Sequence, residues 1–146
     1  MESGDEIYFF TPAFHVFDSF SAHRIDIWGQ SFPTAEHAYQ WQKFRDYPEV
    51  KQEILASRSP EMAHRLAQKH KEKIYKEWHS EKVRIMKEIF CAKVNQNPDV
   101  MEVLKKTGDK EIIENSPVDD FWGNGPQKTG LNMIGKIWME IRNELT

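Results

Sequence analysis

The feature that most constrains this chain is a set of apolar side chains that returns at helical spacing along most of its length. Between residues 77 and 95, Val83, Met86, Phe90 and Val94 recur every three or four positions, the repeat of one helix face. Near the C-terminus, Leu131, Ile134, Trp138, Ile141 and Leu145 form a second apolar stripe. Shorter segments carry start and stop signals. Thr34 caps a helix predicted to run to Asp46, because the residue before Pro48 avoids the α region. "PEVKQEILASRS" gives another short helix, and Ser59-Pro60 opens "PEMAHRLAQKH". Asn97-Pro98 opens "PDVMEVLKKTG", which Gly108 closes. Only residues 7–10 and 23–29 read as strands. The expectation is a mainly α fold: a single helical domain over residues 1–146 with a small β element near the N-terminus.

Charge and cysteine content narrow the setting. With 146 residues, one domain can bury a real core, and a net charge of −3 provides no global field for nucleic acid. The single cysteine, Cys91, excludes an internal disulfide framework and suits a reducing compartment. It falls within the apolar run and is expected to be a small core residue. The acidic opening "MESGDEIYFF" lacks the basic start of a signal peptide, and no apolar run approaches a bilayer's span. These features predict a cytoplasmic protein with no membrane partner.

Chemistry is concentrated in a few stretches. In "FPTAEHAYQWQKF", the helical period aligns Glu36, Gln40 and Lys43 on one stripe and His37, Trp41 and Phe44 on the next. The second stripe is bulky enough to pack. The first sets an acid, an amide and an amine at its border, where a cleft could lie. "SPVDDFWGNGPQKTGLNMIGK" (116–136) holds four glycines just before the last helix. Glycines let a backbone approach a ligand closely, and a helix start offers free N–H groups to an anion. Taken alone, such a stretch reads first as a connecting loop. Trp78, at the start of the long helix, is either a core residue or a stacking wall. Lys51 and Lys71 are expected on solvated faces. The six histidines show no paired ligand spacing, so no metal site is expected, and there is no phosphate-binding loop or serine elbow. A hydrolytic site would have to use carboxylates, with Glu36 and Asp119 the best placed.

Four blocks, "FPTAEHAYQWQKF", "KEWHSEKVRIM", "SPVDDFWGNG" and "GLNMIGKIWMEIR", together resemble the NADAR (YbiA-like) family in order and separation. The resemblance covers nearly the whole chain and implies a mainly helical fold and N-glycosidase activity, splitting a ribose–nitrogen bond. It implies one of two substrates: phosphoribosylamino-pyrimidine intermediates of riboflavin synthesis, or ADP-ribosylated guanine, free or in nucleic acid. By position, Glu36 matches the family's Glu-His acid, Lys43 its lysine, and Trp78 the tryptophan opening the long helix. Asp119, Trp122, Gly123 and Gly125 match its Asp-x-x-Trp-Gly-x-Gly loop, and Asn132 with Gly135 the start of the last helix. "FDSF" (17–20) departs from the family's Phe-Ser-Asn-Phe, and Val94 replaces a phenylalanine.

Splitting such a bond builds positive charge on the sugar and negative charge on the leaving base. The resulting expectation has Asp119 stabilising the cationic sugar and Glu36 acting as general acid/base. Gln40, Trp78, Trp122, Gly123, Gly125 and Asn132 would bind substrate, with Glu36, Gln40 and Lys43 opening on a cleft shared with the 119–125 loop. Lys43 would pair with a phosphate or with Glu36, or attack the opened sugar aldehyde as an amine to form a Schiff base. No cofactor is called for. The competing reading is a non-catalytic ADP-ribose or nucleotide-binding module, against which the presence of both acids argues.

Overall fold

A computed structural model describes residues 5–9 and 15–145. The predicted strand at 7–10 therefore ends in Phe10, outside the described residues, as does most of the acidic opening. The chain divides into two compact units, one made of residues up to 21 together with those from 97 onward, the other of residues 22–96.

The unit spanning 22–96 begins with a hairpin, β2 (Ile25–Ile27) and β3 (Gln30–Phe32), paired antiparallel with Ile25 opposite Phe32. Its two-residue turn sets Trp28 and Gly29 at φ 55° and 74°, the left-handed conformation that matches the twist of the flanking strands. Helices α1 (Ala35–Gln42), α2 (Pro48–Ala56), α3 (Pro60–Lys69) and α4 (Trp78–Gln96) follow. Thr34 caps α1 by accepting from His37 N at 3.2 Å, and Ser59 caps α3 by accepting from Met62 N at 3.1 Å. Each cap typically contributes about 1 kcal/mol. Helix α1 stops at Gln42, four residues short of the predicted Asp46, and turns at residues 43–46 carry the chain to Pro48. Phe44, Val50, Ile54, Ala63 and Ala67 form one buried cluster beneath α1, α2 and α3. On α4 the buried face holds Ile85, Met86, Ile89, Phe90 and Val94, with Lys93 fully buried among them. Val83 and Cys91 are only half-buried, so the inward face is rotated from the predicted stripe. Gln96 closes this unit by donating to Asp26 O and accepting from Asp26 N.

In the other unit, β1 (Glu6–Phe9) pairs parallel with β4 (Glu111–Glu114), Ile7 opposite Ile112. Helices α5 (Pro98–Lys106) and α6 (Met133–Glu144) complete it. Four residues of "EIIE" gave no alternation long enough to signal β4. Helix α6 buries Ile134, Ile137, Trp138 and Ile141, whereas Leu131 and Leu145, the two ends of the predicted stripe, are exposed. They lie beyond the helix's ends. Trp138 Nε1 donates to Phe17 O at 2.9 Å, and the two rings lie 5.0 Å apart. Asp18, one of the two departures within "FDSF", is buried and accepts from Phe20 N at 2.8 Å, stabilising its own turn. Among the described residues, no helix is long and apolar enough to cross a membrane.

Candidate active site

Helix α1 carries the chemistry of the 22–96 unit. Its two stripes are both inward. His37 is 1% exposed, with Nδ1 2.8 Å from Thr34 Oγ1 and Nε2 3.1 Å from Ser57 O. Burial pushes the His37 imidazole below its ordinary value, against smaller opposing effects of the Ser57 carbonyl and Glu36. His37 thus locks the start of α1 to the end of α2 as a neutral ring.

On the other stripe, Glu36 is 5% and Gln40 2% exposed, so the acid and amide sit in the interior rather than at a border. Gln40 Nε2 donates to Glu36 Oε2 across one helical turn. Gln40 Oε1 is buried without a hydrogen-bond partner. His64 of α3 approaches the same pair, its Nδ1 3.6 Å from Glu36 Oε2 and 3.4 Å from Gln40 Nε2. A carboxyl withdrawn from water with nitrogen-bearing side chains beside it is a candidate for general acid or base chemistry.

Lys43 caps the C-terminal end of α1 and is half-buried. Its Nζ lies 5.1 Å from the centroid of the Tyr39 ring and 5.7 Å from that of Trp78. Burial lowers the affinity of this ammonium for its proton, Glu36 partly restores it, and Lys82 lowers it further. Trp78 is 3% exposed, packed edge-to-face on Tyr39 at 5.0 Å and on Tyr75 at 5.8 Å. The ring is therefore a buried wall behind the lysine. Tyr75 N donates to Lys43 O at 3.1 Å, and its hydroxyl donates to Glu81 Oε1 at 2.6 Å. Burial and that hydrogen bond push the Tyr75 phenol up to about 12. Lys51, expected on a solvated face, instead lies 3.6 Å from the Trp41 ring centroid, where burial depresses its pKa. Lys71 is exposed.

The glycine-rich loop belongs to the other unit. Asp119 Oδ1 accepts from Phe121 N at 2.9 Å and Trp122 N at 2.8 Å, and Asp119 N donates to Ser116 Oγ at 2.9 Å. One carboxylate oxygen is thus committed to shaping the turn. Trp122 is half-buried, perpendicular to Phe121 at 4.9 Å. Gly123 is buried where a Cβ would stand 2.7 Å from Ser116 Cβ and 2.9 Å from Glu114 O. Gly125 takes φ 73°. Asn132 adopts φ 53° and spends its amide on β4, Oδ1 accepting from Glu114 N and Nδ2 donating to Ile112 O, both at 2.9 Å. The sequence suggested that the start of α6 offers free N–H groups to an anion. In the structure Met133 N and Ile134 N donate to Phe121 O and Trp122 O, both at 3.0 Å, so the loop itself consumes those donors. Among the described residues no group of three or more His, Cys, Asp or Glu side chains could hold a metal ion.

The structure therefore brings Glu36, Gln40, Lys43 and Trp78 together in one unit, and Asp119, Trp122, Gly123, Gly125 and Asn132 together in the other. Sequence reasoning missed His64, which was weighed only as a metal ligand. Its one signal was Gln68, a polar residue one turn further along α3.

Comparison with known proteins places this arrangement. The NADAR domain family matches residues 2–146. N-glycosidase Npun_R5314 of Nostoc punctiforme is 38% identical over 143 residues, covering 95% of this chain and 92% of that one. The riboflavin biosynthesis protein VVA0006 of Vibrio vulnificus is 35% identical over 141 residues, 95% of this chain but 38% of that longer one. The NMR structure of Escherichia coli YbiA superposes with a TM-score of 0.87 at 30% identity, covering 99% of this chain and 87% of that one. The class so defined is that of the N-glycosidases, hydrolases acting on N-glycosyl compounds. The chain belongs to the NADAR family.

Proposed function

We propose that this chain hydrolyses a ribose–nitrogen bond in a small nucleotide-like substrate, a phosphoribosylamino-pyrimidine of the riboflavin route or ADP-ribosylated guanine. The observation that carries the reading is the buried Glu36 carboxyl, bound by Gln40 on the same helix face as the half-buried Lys43. Glu36 gives a proton to the departing nitrogen, without which the base would leave as a costly anion. Burial makes the Lys43 ammonium easier to deprotonate, and the amine so released is available to an opened sugar aldehyde. Trp78 and Tyr39 exclude water from the amine. Asp119 is proposed to stabilise positive charge on the sugar through the carboxylate oxygen that the loop does not use. The riboflavin name of the Vibrio relative favours the phosphoribosylamino-pyrimidine. The non-catalytic alternative leaves the cost of burying Glu36 without a return.

The deciding experiment incubates the protein separately with each substrate and follows free base by chromatography. Release from the pyrimidine compound supports the riboflavin assignment, and release from ADP-ribosyl-guanine alone moves the substrate to the other class. Tight binding without base release, at protein concentrations matching the substrate, would make the chain a binding module.

A further inference from the structure

We infer that His64 is the proton relay between bulk water and the buried Glu36 carboxyl, an assignment that rests on the N-glycosidase reading above. Glu36 is sealed from solvent, so an acid that has given its proton to a leaving base needs a route to regain one. His64 provides the contact with water: its side chain is 49% exposed, whereas that of Glu36 is 7% exposed. Its two ring nitrogens face different partners. Nδ1 lies 3.6 Å from Glu36 Oε2, while Nε2 lies 3.5 Å from Gln68 Nε2 on the exposed side of α3. Amide nitrogens lie beside both, Gln40 Nε2 3.4 Å from Nδ1 and Gln68 Nε2 3.5 Å from Nε2, so neither neutral tautomer is fixed and each ring nitrogen can take up or release a proton. Imidazole is the side chain that exchanges protons most readily near neutrality.

Among the surrounding charges, the Lys43 ammonium interacts with Glu36. From α1 the group that meets His64 is Glu36, with Gln40 Nε2 beside it at 3.4 Å. From α2, Glu53 is turned to His70 at 3.3 Å and Lys51 to the Trp41 ring at 3.6 Å. On α3 itself Glu61, Arg65 and Lys69 are exposed.

The step balances. Hydrolysis leaves Glu36 ionised, because its proton has gone to the base nitrogen and the attacking water has released one to solvent. A proton from water converts His64 to the imidazolium, which carries a hydrogen on each ring nitrogen, and the one on Nδ1 passes to Glu36 Oε2. That leaves the ring neutral again. Because His64 touches Glu36 rather than the reacting atoms, it is a positioning and relay residue, not a catalytic one.

The test uses His64→Ala and His64→Gln in the full chain. A relay limits repeated turnover, so kcat should fall about tenfold, short of the roughly hundredfold minimum for a direct acid. The first turnover should stay at the wild-type rate. Imidazole added to His64→Ala should restore kcat in proportion to its concentration. Unchanged kcat overturns the relay, as does an equal loss in the first turnover with no imidazole rescue. A readout independent of turnover separates this inference from the functional reading. The Glu36 carboxyl band is assigned by Glu36→Gln and followed by infrared spectroscopy after a rapid pH jump. Protonation slowed about tenfold in His64→Ala supports the relay even if no substrate is cleaved, and an unchanged rate overturns it.

Discussion

Gln40 donates to Glu36 from one turn further along α1, and both side chains are withdrawn from water. A carboxylate in that position has exchanged hydration for protein partners, Gln40 among them, an exchange that costs stability where the replacement is incomplete. Replacing Glu36 by Gln keeps the shape and removes the proton. Base release should fall by about a hundred- to ten-thousand-fold, with the helical circular dichroism unchanged. Near-normal turnover in that variant would remove Glu36 from the chemistry.

Lys43 gives a second test, in which position and titration are read separately. Its Nζ sits over Tyr39 and Trp78, and burial lowers its pKa, so the folded state binds this proton less tightly than the unfolded chain does. Stability attributable to Lys43 should therefore rise with pH between its lowered value and the ordinary 10.5. Urea titrations of wild type and Lys43→Met, compared from neutral to alkaline pH, isolate that difference. Lys43→Ala should also damage turnover far more than Lys71→Ala, whose lysine is exposed. Borohydride added during turnover should trap a sugar adduct on Lys43 if the amine attacks the aldehyde. Lost activity without an adduct would make it an electrostatic partner instead.

The contrast between α1 and the glycine-rich loop shows what was legible in the sequence. Helical spacing placed Glu36, Gln40 and Lys43 on one face, because side chains three and four residues apart must share a face. It could not show that this face points inward, since polar residues normally argue for exposure. Caps at Thr34 and Ser59 were readable because a side-chain oxygen before a helix has a local use. Strand β4 was not, because its partner β1 lies about a hundred residues earlier and its pairing depends on that distant neighbour. The same holds for the start of α6, whose N–H groups are consumed by carbonyls that no local pattern reveals.

His37 should leave an acid-side signature. Its folded pKa lies below the unfolded value of 6.5, mainly through burial. The unfolded chain therefore binds more protons as pH falls through 6.5, and stability declines from there toward the folded value. His37→Gln should flatten that part of the pH–stability curve while lowering stability at pH 7, because the Thr34 and Ser57 contacts are weakened. An unaltered slope between pH 7 and 5, measured by chemical denaturation, would show that His37 charges equally well in both states.

The last prediction concerns the junction between α6 and β4, where Asn132 and Gly135 meet the strand. Asn132 holds Glu114 N and Ile112 O with one amide, and its φ of 53° is one that asparagine tolerates better than most residues. Truncation to Ala removes the partner of a buried carbonyl and of a part-buried N–H and should cost about 2–4 kcal/mol. Gly135 is the more severe constraint. A Cβ there would stand within 2.0 Å of Ile112 O and 2.4 Å of Asn132 Nδ2, a backbone atom and an already committed amide. Neither can yield without breaking the strand tether, so Gly135→Ala should destabilise at least as much as Asn132→Ala. Their effects should not add, because each disrupts the same contact. Gly29→Ala, with open space around its Cβ but φ 74°, provides the control for backbone strain alone and should cost about 1–2 kcal/mol. Thermal denaturation of the four proteins decides it: a Gly135→Ala melting temperature above that of Gly29→Ala would mean that α6 does not sit directly on β4.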